Sequence, residues 1–137
     1  MKQIPKPATG IMIYNEEGKI FLAKSHKWSN LWIVPGGHLE YGETLFESVK
    51  REAKEETGLN VTDIEFVQIQ ESLFAKEFYK SCHMVFLNFC CRATSKKVTL
   101  NEELDEFSWI FPKQALKKLK LNSATRRFIK KYIELGK

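Results

Sequence analysis

A helix with both of its ends written into the sequence constrains this chain more than any other feature. Residues 44–58 read TLFESVKREAKEETG. Thr44 followed by Glu47 forms a capping box, in which each side chain satisfies an N–H that the first turn leaves orphaned. Gly58 supplies the left-handed residue that closes a helix. At about 100° per residue, Phe46, Val49 and Ala53 share a face that is expected to pack on a core. Glu52, Glu55 and Glu56 gather on the adjacent face, because residues three and four apart are helix neighbours.

Carboxylates this close destabilise a helix by a few tenths of a kcal/mol per pair. Two arrangements relieve the repulsion. One is a solvated face laced with ion pairs to Lys50, Arg51 and Lys54. The other is a hard divalent cation, which takes oxygen ligands and neutralises the cluster. The helix alone does not choose between them.

The flanking residues do. Gly37, Glu43, Arg51-Glu52, Glu55-Glu56 and Gly58-Leu59 fit every fixed letter of G-x5-E-x7-R-E-U-x-E-E-x-G-U, where U is apolar and is Ala53 and then Leu59 here. At average residue usage such a match at one register has a chance of roughly one in a billion. The stretch resembles the Nudix box, and Pro35-Gly36-Gly37 before it and Glu40 and Gly42 within it are similar too. The box covers about a sixth of the chain.

The resemblance implies a Nudix-type α/β/α sandwich, with a mixed β-sheet between helices and a loop–helix–loop motif at one edge. It implies a Mg²⁺-dependent pyrophosphohydrolase in which Mn²⁺ substitutes. Glu55 and Glu56 would be the principal metal ligands, and Glu52 a further ligand or the base. The carbonyl of Gly36 would complete the shell. Arg51 would orient the carboxylates, Glu43 included. A later loop offers one more glutamate among Glu102, Glu103 and Glu106, with Glu103 as the candidate. Lys24 stands where a phosphate contact is common in relatives. Trp28, Phe74, Phe78 and Tyr79 lie in loops that could reach a base, with ordinary packing as the alternative for each. His38 and His83 carry no assigned role, and His26 is expected to be exposed.

The tail VTLNEELDEFSWIFPKQALKKLKLNSATRRFI resembles the matching stretch of bacterial nucleoside triphosphatases of the same family. That makes a (deoxy)nucleoside triphosphate the leading substrate, cleaved to monophosphate and pyrophosphate. ADP-ribose, another nucleotide sugar or a dinucleotide would keep the chemistry. A regulatory module that binds a nucleotide without turnover is a third reading, although such modules usually lose box glutamates.

Elsewhere, residues 9–14 and 19–24 read as a strand hairpin around a turn ending at Gly18. Residues 31–34 form a short apolar piece that Pro35-Gly36-Gly37 breaks. Residues 61–71 and 82–93 read as strands, the second central, with a hairpin loop between them. Residues 107–111 form a last short strand. Pro112 opens a helix carried by Ala115, Leu116 and Leu119. Asn122 or Ser123 caps another, with Phe128, Ile129, Tyr132 and Leu135 as its buried stripe.

The chain's 137 residues suit one domain, 1–137. There is no apolar run long enough to span a membrane. Cys82, Cys90 and Cys91 lack metal-ligand spacing and fit reduced thiols in a cytoplasmic protein. The net charge of +5 lies mostly beyond residue 112, on helical faces opposite apolar residues. That favours solvated helix surfaces over a nucleic-acid partner. By analogy with relatives, the chain is expected to be a monomer or a homodimer.

Overall fold

The computed structural model describes residues 3–137. Its axis is β1 (Lys6–Tyr14), which runs parallel to β6 (His83–Ala93) along its whole length. β6 in turn pairs antiparallel with β5 (Val61–Leu73), so it is central as expected. The other edge of β1 is shared. β4 (Gly36–His38) covers Ala8–Gly10, and β2 (Ile20–Ser25) joins at Tyr14. β2 then carries β3 (Leu31–Ile33) on one side and β7 (Glu106–Ile110) on the other. The result is one mixed sheet that splays open between β1 and β2.

Helices cover both faces. Ile11, Ile13, Phe89 and Cys91 pack with Val49 and Ala53 of α1 (Leu45–Thr57). Met12, Val67 and Cys90 pack with Ala115 of α2 (Pro112–Lys118) and with Phe128, Ile129 and Tyr132 of α3 (Ser123–Glu134). Adjacent residues of β1 and β6 thus feed opposite cores, which is why β1 is buried without interruption from Ala8 to Ile13. This is the expected α/β layering. Among the described residues, no helix is long and apolar enough to cross a membrane.

Several local expectations change. Pro35-Gly36-Gly37 does not simply break the chain. Gly36–His38 forms β4, and it can lie so close to β1 because a Cβ on Gly36 would collide with the Thr9 carbonyl oxygen. Phe46 is not core: it is 53% exposed and meets Phe89 edge-on at 5.9 Å between ring centroids. It sits in the first turn of α1. Leu135 is also exposed, because α3 ends at Glu134 and Leu135 is its C-cap. Asn122, not Ser123, is the N-cap of α3, and its side chain accepts from the Thr125 N–H.

Candidate active site

The capping box of Thr44 and Glu47 and the left-handed Gly58 both form as the sequence requires. They fix where α1 begins and ends, and hence which way its faces point. The inward face carries Ser48, Val49, Glu52, Ala53, Glu56 and Thr57. Glu52 and Glu56 therefore lie within the buried stripe, one turn apart, and only Glu55 faces solvent. An ordinary core does not tolerate two facing carboxylates.

They border a cleft of about 440 Å³ where the sheet splays. Gly36 and Gly37 of β4 form one wall. The Gly36 N–H donates to Glu56 Oε1 at 3.2 Å. A Cβ on Gly37 would fall 2.5 Å from Glu52 Oε1, so only glycine leaves room for that carboxylate. Glu56 Oε2 is buried and has no hydrogen-bond partner among the described residues. Burial pushes the Glu56 carboxyl well above the usual carboxylate range, and the adjacent Glu52 carboxylate pushes it further.

Arg51 organises the rim. Nη1 donates to Glu52 at 2.9 Å and to Glu55 at 3.1 Å. Nε and Nη2 donate to Glu43 at 2.5 and 3.0 Å, and Nη2 reaches the His38 carbonyl at 3.2 Å. These bonds hold the Glu43 carboxyl down to about 2. The expected link from Arg51 to Glu43 is present, and it extends to Glu52 and Glu55. The ion-pair arrangement thus accounts for Glu52 and Glu55 but leaves Glu56 unpaired.

The opposite wall comes from loops. Trp28 and Phe78 pack with ring centroids 4.4 Å apart, and Tyr79 stands beside Phe78 at 4.8 Å. All three line the cleft, as does Glu103. Two expected contacts do not. Lys24 points away, its ammonium 3.7 Å from Glu106 and over the Trp32 ring. The alternation of β2 sends Ser25, not Lys24, to the cleft. Phe74 begins the hairpin loop, is 59% exposed and tilts toward His83. Of the later acidic residues, Glu102 is exposed and Glu106 opens β7, so Glu103 alone reaches the cleft.

Sequence reasoning missed Lys27, whose Nζ meets Glu103 at 2.5 Å inside the cleft. It also missed the polar floor of Asn88 and Gln70, joined through Gln68 Oε1. Nothing in their spacing marks them. Only strand alternation, applied once the register of β5 and β6 is known, would find the floor.

Among the described residues, no three histidine, cysteine or carboxylate side chains converge as a ready-made metal cage. The donors present still fit a hard cation. Glu52 and Glu56 offer carboxylate oxygens, one of them a buried orphan, and the glycine wall keeps the space before Glu52 clear.

A family model for the NUDIX domain matches residues 4–132. The chain belongs to the Nudix family. Nucleoside triphosphatase NudI of Enterobacter sp. (strain 638) is 33% identical over 101 residues, spanning 69% of this chain and 71% of its own length. NudI of Escherichia coli (strain K12) is 30% identical over 105 residues, spanning 72% and 74%. The crystal structure of the MutT protein from Methanosarcina mazei Go1 has a TM-score of 0.81 at 24% identity, over 100% of this chain and 99% of that one. The NUDIX domain of Shewanella oneidensis NrtR, complexed with ADP ribose, has a TM-score of 0.81 at 15% identity, over 99% and 91%. Both share the Nudix fold. The chain is a Nudix hydrolase, and its box helix supplies the cleft's two buried carboxylates.

Proposed function

We propose that this Nudix hydrolase cleaves a nucleoside triphosphate to the monophosphate and pyrophosphate, using Mg²⁺. The observation that carries the reading is the Glu52–Glu56 pair. Two carboxylates are buried side by side, one with an orphaned oxygen, in a cleft of about 440 Å³. That size suits a nucleotide. The sequence relatives named nucleoside triphosphatase support the substrate class.

Glu52 and Glu56 would hold the cation, and Glu55 at the rim and Glu103 across the cleft are the further carboxylates within the same region. A divalent cation there supplies charge neutralisation for phosphate oxygens and a lowered pKa for a bound water. The chain's own residues prepare the place. Arg51 Nη1 donates to Glu52 Oε1 and fixes that carboxylate in place. The Gly36 N–H fixes one oxygen of Glu56 and leaves the other facing Glu52. Because burial raises the Glu56 carboxyl, a cation held there would displace its proton, so cation binding would strengthen as pH rises. The Trp28–Phe78 wall offers an aromatic surface for a base, and Asn88 and Gln70 offer amides.

The test is a panel of nucleoside triphosphates, ADP-ribose and dinucleotides, hydrolysed with Mg²⁺ in oxygen-18 water, with products identified by mass. Pyrophosphate and a monophosphate from a triphosphate are expected. Preferential turnover of ADP-ribose or dinucleotides, or equal rates without a divalent cation, would overturn the proposal.

A further inference from the structure

The cleft is lined by Glu40, Glu52, Glu56 and Glu103, and Arg51 pairs with Glu40 at 3.0 Å; the other three carboxylates each have different surroundings. Arg51 donates to Glu52. Glu56 is buried with an orphaned oxygen. Glu103 accepts from Lys27 Nζ at 2.5 Å. The two basic partners differ in how firmly they are held. Arg51 is locked, since the same guanidinium also serves Glu43, Glu55 and the His38 carbonyl. The Lys27 ammonium has Glu103 as its hydrogen-bond partner and otherwise rests over the Tyr79 ring at 5.7 Å. Its backbone, by contrast, is anchored: its N–H donates to Ser25 Oγ and its carbonyl accepts from the Tyr79 N–H at 2.7 Å. A fixed backbone with a flexible four-carbon stem lets the ammonium swing without disturbing the fold.

We infer that Lys27 is a displaceable counter-charge: it occupies Glu103 in the free enzyme, and when a divalent cation takes Glu103 the released ammonium binds a phosphate of the nucleotide. The inference rests on the pyrophosphohydrolase reading above. Its logic is charge balance in a confined space. The cleft must accept a cation and a polyanion in turn, and it must not hold like charges unpaired between those events. One mobile ammonium serves both states. Lysine suits the task because it is a compact charge with three donors and no fixed plane, unlike the forked guanidinium of Arg51.

Lys27→Met keeps most of the unbranched stem and removes the charge. Two titrations follow it: Mn²⁺ alone, and an α,β-methylene nucleoside triphosphate with Mn²⁺ saturating. In the variant, Mn²⁺ should bind roughly two- to fivefold tighter, the scale of a part-exposed ion pair no longer competing for Glu103. The analogue should bind about tenfold weaker, the scale of one lost charge-assisted hydrogen bond. Lys27→Arg, which restores the charge, should bring both affinities back toward wild type. A purely structural role for Lys27 would weaken both ligands together, and that result would overturn the inference, as would unchanged Mn²⁺ binding. If wild type binds Mn²⁺ and turns over while the variant shows no opposed shifts, only the exchange fails. If wild type binds no divalent cation, the reading beneath it fails as well.

Discussion

Gly37→Ala separates the site from the fold. A Cβ at this position would lie 2.5 Å from Glu52 Oε1 and 2.7 Å from its Cδ and Oε2. Real Cβ atoms essentially never approach closer than 3.0 Å, so the carboxylate must retreat by half an ångström or more. The retreat is resisted, because Arg51 Nη1 holds the same Oε1 at 2.9 Å and the side chain is almost fully enclosed. The backbone at Gly37 is not left-handed, so alanine adds no torsional strain. The cost therefore falls on the placement of one carboxylate. A misplacement approaching 1 Å at a reacting site costs on the order of 10² in rate. The melting temperature should fall by no more than a few degrees. Gly36→Ala is the control. Its Cβ would strike the Thr9 carbonyl and Gly10 Cα, which are backbone atoms of β1 and cannot step aside. Overpacking of that kind costs about 1–3 kcal/mol. For a chain of this length it lowers the melting temperature by about 4–10 °C. Calorimetry and steady-state pyrophosphate release read the two quantities separately. If Gly37→Ala kept its full rate, or lost as much stability as Gly36→Ala, the claim that this glycine exists to make room for Glu52 would be refuted.

Other variants probe the remaining parts. Folded Glu56 keeps its proton to higher pH than in the unfolded chain. Between the usual carboxylate range and that raised value the folded state binds more protons, so metal-free stability falls as pH rises. Glu56→Gln should therefore melt higher than metal-free wild type at about pH 8 and near it at about pH 4, while losing most turnover; paired thermal melts check the sign. Glu77 ties the 74–82 loop to α3, since Oε1 accepts from both the N–H and the Oγ of Ser123 at 3.2 and 2.9 Å. Glu77→Ala should release the Phe78–Tyr79 wall and raise KM roughly threefold or more with kcat little changed, as lost binding without lost chemistry requires. Among the thiols, burial pushes Cys91 up to about 12 and raises Cys90 as well, whereas Cys82 is part-exposed. A thiol reagent should titrate one group quickly in the native protein and all three cysteines in denaturant.

The parts of the molecule legible in the sequence are those whose signals are local. The α1 helix has a capping box, a left-handed terminator and a spacing code within one segment, so its ends were readable directly. β1 and β6 were readable as apolar runs, and adjacent Cys90 and Cys91 do face opposite cores. Long-range pairing is what stayed hidden. Gly36–His38 looks like a chain break until β1 is laid beside it, because pairing, not propensity, makes it a strand. Lys24 and Lys27 are both basic residues near the second strand; alternation within β2 turns Lys24 away, while the turn at 26–28, anchored to Ser25 and Tyr79, brings Lys27 to the cleft. Phe46 and Leu135 fit their apolar stripes by angle, yet each lies at a helix end and stays about half exposed, Phe46 touching the core only edge-on through Phe89.

The acidic face of α1 shows why a wheel alone could not settle the choice between a solvated surface and a site. By angle, the three glutamates form one cluster. In the folded chain Glu55 goes to solvent, while Glu52 and Glu56 turn inward among Val49, Ala53 and Thr57. A surface cluster needs no explanation beyond its ion pairs. A buried pair does, because desolvating two like charges is costly unless something else occupies the space between them. Arg51 answers for Glu52 but not for Glu56, whose second oxygen meets no donor among the described residues. The decisive distinction is therefore burial and not charge count, and it becomes visible only when β4 packs against the helix and the Gly36 N–H takes one oxygen of a buried Glu56.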